Sequence, residues 1–395
     1  MQLIAIYINT LYCMLKLVST LSSQKSKKID EGKLNDFMGK VVNDLGATWS
    51  TVLVIIGDKL GLYKAMADSK PISSEDLAGR TGTTERYIRE WLANQAASGY
   101  INYDPNIAKY TLSPEQAMAL ANENSPVFSL GGFQGAMAFF RDEPKITEVF
   151  RTGKGVDWGN HDHNLYEGTE RFFKPNYVAN LVSSWIPSLD GGKVEEKLKR
   201  GGAIVADVGC GHGISTILMA KAYPNSKFIG YDYHETSIDI ARKRAREEGL
   251  TEDRITFEVA SSTNFPSENN EGDGNDNDED DLGYDLVAFF DSLHDMGDPR
   301  GAASHVLKTL KQDGTWMIVE PFANDKLEDN LNPVGRVFYA ASSLVCVPAS
   351  LAYNGPALGA QAGEKNIKNI VTQAGFTKFR RATQTPFNIV YEAKP

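Results

Sequence analysis

Two groups of residues have the types and spacing for chemistry: an aspartate followed by alternating glycines, Asp207-x-Gly209-x-Gly211-x-Gly213, and a histidine, His294, downstream. The apolar run 203–208 breaks into the glycines, and a helical pattern over 215–222 follows. Strand, glycine turn and helix bring main-chain N–H groups to a ligand at a helix N-terminus, and missing Cβ atoms permit close approach. Asp232 ends the next strand pattern, 23 residues after Gly209, where a carboxylate can accept both hydroxyls of a ribose. Asp207 is expected to orient the glycine amides or to reach a ligand ammonium through water. Ser261 and Ser262 fall where an adenine edge would lie, and Asp291 on the reacting side of the ligand. His294 leaves the carboxyl end of a central strand pattern, where open α/β sheets gather reactive groups. An imidazole titrating near neutrality suits removal of a proton, with Glu320 and Glu364 as the acids expected to orient it.

The glycine spacing narrows the ligand. A dinucleotide fingerprint needs G-x-G-x-x-G, but position 214 is Ile and the third glycine comes one residue early. This disfavours a nicotinamide oxidoreductase. D-x-G-x-G-x-G is the pattern of S-adenosylmethionine (SAM) methyltransferases, which have no pyrophosphate to cradle. SAM is therefore the expected cofactor, with S-adenosylhomocysteine (SAH) as product.

The elements that must hold these residues read as an α/β fold. Strand patterns occupy 203–208, 227–233, 255–260, 284–290 and 314–320, and 376–383 and 387–393 are close enough to pair only antiparallel. Five parallel strands and a terminal hairpin make a Rossmann-like, seven-stranded doubly wound sheet within 196–395. Upstream, 34–67 has the period of a helix pair broken near Gly46 and Gly57. Helices are expected after Ser73 or Ser74 and after Thr84, with strands at 100–103 and 109–112, giving an α-rich winged-helix domain over 29–120. On its second helix Arg86 and Arg89 alternate with Glu85 and Glu90, which suits packing or dimerisation better than a DNA groove. Between the domains, 121–195 is a helical, aromatic-rich linker, irregular in pattern from 127. Phe133, Trp158, His161, Tyr166, Phe173 and Tyr177 are its candidate lining for a small-molecule pocket.

Composition removes several function classes. The net charge is −10, but eight acids and no base lie in 266–283, so the body is near neutral, with no basic excess for nucleic acid. That tract is expected to be a disordered surface insertion. Three distant cysteines form neither a disulfide framework nor a thiolate zinc site, and fit a reducing compartment, the cytoplasm. His161-Asp162-His163 lacks a third ligand, so no metal is expected. Residues 1–28 read as a poorly ordered leader. The apolar 1–20 stretch is interrupted by Asn9, Thr10 and Lys16 and has no basic flank before it, so no membrane is expected.

Asp207–Gly213, His294-Asp295-x-x-Asp298 and Val319-Glu320 together resemble the winged-helix small-molecule O-methyltransferases. That resemblance implies an N-terminal dimerisation domain, a homodimer, a SAM-binding domain, and a histidine general base in an H-D-W-x-D motif. Carried over, His294 is that base, Met296 stands at the tryptophan, and Glu320 and Glu364 match the flanking acids. The body from residue 34 is still more similar to a group of bacterial and invertebrate SAM-dependent methyltransferases. Those share Asp207-Val-Gly-Cys-Gly-His-Gly213, His294-Asp-Met-Gly-Asp-Pro299 and the stretch Glu320 to Arg336. The expected activity is methyl transfer to a small organic acceptor at oxygen. The alternative is a SAM-binding, non-methylating regulator acting through the winged helix.

Overall fold

The computed structural model describes residues 29–267 and 283–395. The leader 1–28 and positions 268–282 of the acidic tract lie outside the described residues.

The N-terminal unit opens with α1, Glu31–Lys59, capped by Asp30, whose carboxylate accepts from Lys33 N. The breaks expected at Gly46 and Gly57 are absent: α1 is continuous to Lys59, with Leu60 as its C-cap before Gly61 at φ +66°. Glycine is tolerated inside a helix at a cost of about 1 kcal/mol. At Gly57 that cost has a packing return, since a Cβ there would come 2.6 Å from the Trp91 ring. Helices α2, Ser74–Thr81, and α3, Glu85–Ala97, follow, then the antiparallel wing β1, Asn102–Asp104, and β2, Lys109–Thr111. Ser73 caps α2 by accepting from Asp76 N at 3.1 Å. Leu62, Leu77, Ile88, Trp91, Leu92 and Ile101 form the core of this unit. On α3, Arg86 and Arg89 pair with Glu90 and Glu85 at 2.6 and 2.8 Å, so their charge is locally cancelled.

After the short helix α4, Pro114–Leu120, the linker expected to be helical and aromatic-rich holds α5, Leu130–Thr152, and α6, His163–Asn180, where the pattern from 127 looked irregular. Its aromatic residues obscured two close-packed antiparallel helices. Glycines set the approach: a Cβ on Gly131 would lie 2.4 Å from Phe172 N, and one on Gly168 would lie 2.4 Å from Gly135 N.

Helix α7, Lys193–Arg200, leads into a seven-stranded sheet ordered β5-β4-β3-β6-β7-β9-β8. Its strands are β3 Ile204–Val208, β4 Lys227–Asp232, β5 Ile255–Val259, β6 Tyr284–Phe290, β7 Leu310–Pro321, β8 Lys378–Gln384 and β9 Asn388–Lys394. The first five run parallel, and β9 is antiparallel to both neighbours. Helices α8, Ile214–Ala222, and α9, Glu235–Glu247, cover one face through Ile217, Met219, Ile238 and Ala241. Helix α10, Pro299–Thr309, covers the other through Ala302, Ala303 and Val306. The chain passes from β3 outward to β5 and returns to β6 on the other side of β3. The crevice beyond the ends of β3 and β6 is thus a topological switch point, where such sheets hold ligands.

Between β7 and the terminal hairpin lie α11, Pro333–Ala341, a π-helical turn at Ser342–Cys346, a short helix Val347–Ala352, and α12, Gly363–Gln373. Among the described residues, Pro333–Ala352 is the one helical run long and apolar enough to cross a membrane by length and composition, and it is partly buried inside the protein. It packs against the approach to α6: Val156 N donates to Pro348 O, and a Cβ on Gly155 would meet Ala352 N at 1.9 Å.

Candidate active site

Gly209, Gly211 and Gly213 all have positive φ, at 77°, 53° and 79°. At Gly213 packing adds a second demand, because a Cβ would lie 2.7 Å from the Phe257 ring. A Cβ on Gly211 would meet nothing within 4 Å, so this part of the loop faces open space. Gly209 N and Cys210 N donate to Tyr231 O, and Gly211 N donates to Asp232 Oδ2 at 2.9 Å. Asp232 Oδ1 accepts from His234 N at 2.9 Å. Each carboxylate oxygen of Asp232 keeps a further lone pair for a hydroxyl.

Of the two roles expected for Asp207, holding the glycine amides is not seen: its Oδ2 accepts from Ser215 Oγ and Thr216 Oγ1, each at 2.6 Å, and pins the first turn of α8. Both hydroxyls stand just past the glycines in sequence, a signal that the glycine reading passed over. Asp207 is fully buried, Oδ1 has no partner among the described residues, and burial pushes its pKa up to about 6. Ser261, exposed after β5, pairs with Thr263 at 2.9 Å, and Ser262 is half-buried beside it.

Past β6, Asp291 adopts φ +49°, uncommon for a side-chain-bearing residue. Its Oδ2 accepts from Tyr177 OH and its Oδ1 from Asn388 Nδ2, both at 2.7 Å. Burial pushes its pKa up to about 7. Three residues on, His294 Nδ1 lies 2.7 Å from Glu320 Oε2, with both side chains buried. Glu320 Oε1 has no partner among the described residues. Burial opposes charge on His294, but the Glu320 carboxylate and the Cys346 sulfur, within side-chain hydrogen-bonding reach, outweigh it and hold its pKa well above the usual range. Asp295 is half-buried, and desolvation of its carboxylate pushes its pKa up to about 7. Glu364 is not brought to His294. Its carboxylate is held by Arg381 Nε and Nη2 at 2.9 and 2.7 Å, a partner from β8 invisible to local sequence. Asn388 and Cys346 join the site from remote segments, and no local pattern marks either.

The aromatic candidates divide. Phe173 stacks on Tyr177, and Tyr177 packs against Phe290 at the end of β6. Trp158 and Tyr166 pack together near Leu344 and Val345, and Tyr166 faces His234 past the end of β4. His161 is buried with Nδ1 2.8 Å from Asp142 Oδ2, while its Nε2 has no partner among the described residues. Phe133 packs on Tyr100 at the edge of the N-terminal core. His161 and His163 diverge, one buried and the other exposed. Among the described residues no group of three His, Cys, Asp or Glu side chains could hold a metal.

Comparison with known proteins agrees with this architecture. Residues 199–375 match a methyltransferase domain family, and residues 48–122 match the Rv2258c-like winged HTH domain. The uncharacterized methyltransferase YcgJ of Bacillus subtilis is 27% identical over 135 residues, 34% of this chain and 47% of that protein. The chain thus spans about half the length of that curated relative. An O-methyltransferase family protein from Burkholderia thailandensis superposes with TM-score 0.63 at 16% identity, covering 90% of this chain and 98% of that one. Human N-acetylserotonin methyltransferase in complex with SAM gives TM-score 0.63 at 14% identity, covering 94% and 99%. At such identities the structural likeness is one of fold. The C-terminal unit thus carries the match to a methyltransferase domain, and the N-terminal unit the match to an Rv2258c-like winged helix-turn-helix domain.

Proposed function

We propose that this protein is a SAM-dependent methyltransferase acting on an oxygen of a small organic acceptor, with His294 as general base. The observation that carries the reading is the buried His294–Glu320 pair beside the glycine loop, at the switch point of the sheet. The loop fits the cofactor: Gly211 faces open space, Asp232 closes β4, and Asp207 Oδ1 and Ser292 Oγ are buried polar atoms without partners among the described residues. When bound, SAM supplies an electrophilic methyl group on a sulfonium.

The protein's own work is alignment and proton removal. Glu320 accepts from Nδ1 and fixes the imidazole, leaving Nε2 to take the acceptor proton. Tyr177 and Asn388 hold Asp291 at the donor side of the crevice. Trp158, Tyr166, Phe173 and Tyr177 supply apolar walls for the acceptor, with His161 Nε2 as a polar contact. A homodimer is the quaternary reading. On α1, Val42, Leu45, Trp49, Val52 and Ile56 recur at the 3–4 spacing of a helix-pairing seam, and Trp49 is 66% exposed. The free, buried Cys210 and Cys346 suit the cytoplasm.

Calorimetry with SAH and with NAD tests the cofactor class. SAH should bind and NAD should not, and binding of NAD alone would reject the SAM reading. The winged HTH match favours one second reading, a non-methylating regulator. SAH binding without methyl transfer, together with salt-sensitive duplex DNA binding, would establish that reading instead.

A further inference from the structure

Helix α6 carries Glu170, Phe173 and Tyr177 at i, i+3 and i+7, so the three share one face. Tyr177 reaches the loop after β6 by donating to Asp291. Two turns earlier, Glu170 reaches the other cofactor loop: its Oε2 lies 2.6 Å from Nδ1 of His212, the residue between Gly211 and Gly213. Arg244 Nη1, from α9, stands 2.9 Å from the same oxygen as an ion-pair partner. All three groups are largely shielded, with Glu170 and His212 side chains 16% and 11% exposed.

A loop with three positive-φ glycines loses much chain entropy on ordering and has few side chains by which to be held. Cys210 is buried toward β4, where a Cβ on Gly230 would come 2.9 Å from its sulfur. His212 is therefore the loop's handle on the linker side. A histidine–carboxylate contact at this distance, backed by a guanidinium, belongs to the strong class of charge-assisted contacts. The same helix is tied upstream as well: Arg171 donates to Asp58 of α1 at 2.8 Å, and Glu167 accepts from Gln134 of α5 at 2.8 Å.

We propose that Glu170 is a positioning residue for the cofactor loop. Through His212, and braced by Arg244, it holds the loop in its ligand-ready shape and couples that shape to α6, whose aromatic residues line the acceptor pocket. The inference rests on the SAM reading given above.

A double-mutant cycle of E170A and H212A in the full chain tests it, with SAH affinity by calorimetry and unfolding temperature as readouts. Loss of one charge-assisted contact should weaken SAH about tenfold in each single variant. The double variant should be no weaker than the weaker single one. In E170A the KM for SAM should rise with kcat little changed, and E170Q, which keeps the side-chain volume, should fall between E170A and wild type. Should E170A fail to fold, E170Q against wild type serves as the readout. SAH affinity within twofold of wild type in the Glu170 variants, or additive losses in the double variant, would overturn the proposal. A wild-type protein that binds no SAH would overturn the SAM reading itself, a result distinct from those.

Discussion

His294 and Glu320 form one buried unit, so the pH dependence of the reaction belongs to the pair. The folded-state pKa of His294 lies above its ordinary value, against burial and because of Glu320 and Cys346. The base must lose its proton to act, so kcat/KM should rise with pH through an apparent pKa above about 6.5. E320Q removes the main support of the imidazolium and should move that acid limb to lower pH; a limb that stays in place would remove Glu320 from the site. The same sign governs stability. The pair's contribution is fully present below the unfolded histidine pKa and is lost as pH rises through the higher folded value. Glu364 gives a contrasting expectation. It is paired with Arg381 and 34% exposed, so E364Q should leave kcat/KM within about twofold and stability within about 0.5 kcal/mol. A hundredfold loss of turnover would return it to the site. The resemblance matched Glu364 by motif, but its partner comes from β8, and only the folded chain shows that pairing.

At the scale of elements, the central strands were legible because they are short apolar runs with a turn after them, and β3 and β6 are buried along their whole length. The glycine loop was legible for the same local reason. The helices were less so: α1 runs through glycines that looked like breaks, and α5 and α6 are obscured by aromatic residues and by internal prolines at 144 and 175. Glycine has opposite meanings in these helices. Gly39 of α1 has open space where its Cβ would be, so Gly39→Ala should stabilise by about 0.5–1 kcal/mol through helix propensity. Gly168→Ala would push a methyl against the Gly135 backbone and should destabilise by about 1–3 kcal/mol. Urea unfolding of both variants checks the pair, and equal effects would contradict the close α5–α6 approach.

Over the whole molecule, the linker connects two cores. Arg171 on α6 is paired with Asp58 of the N-terminal unit, while Glu170 and Tyr177 on the same helix hold the two loops at the switch point. The composition of the aromatic stretch suggested a pocket, but it could not tell Phe133, which joins the N-terminal core, from Tyr177, which reaches Asp291. That division depends on which way each helix turns its face. The exposed α1 seam bears on assembly, and W49E should convert a wild-type dimer to monomer in sedimentation; a wild-type monomer, or a W49E dimer, would refute the seam. The most direct test of the central claim is methyl transfer from labelled SAM into a small-molecule extract, by wild type and by H294A of matched SAH affinity. The account predicts transfer by wild type and a loss of about 10²–10⁴ in H294A. Turnover by H294A close to that of wild type would contradict it.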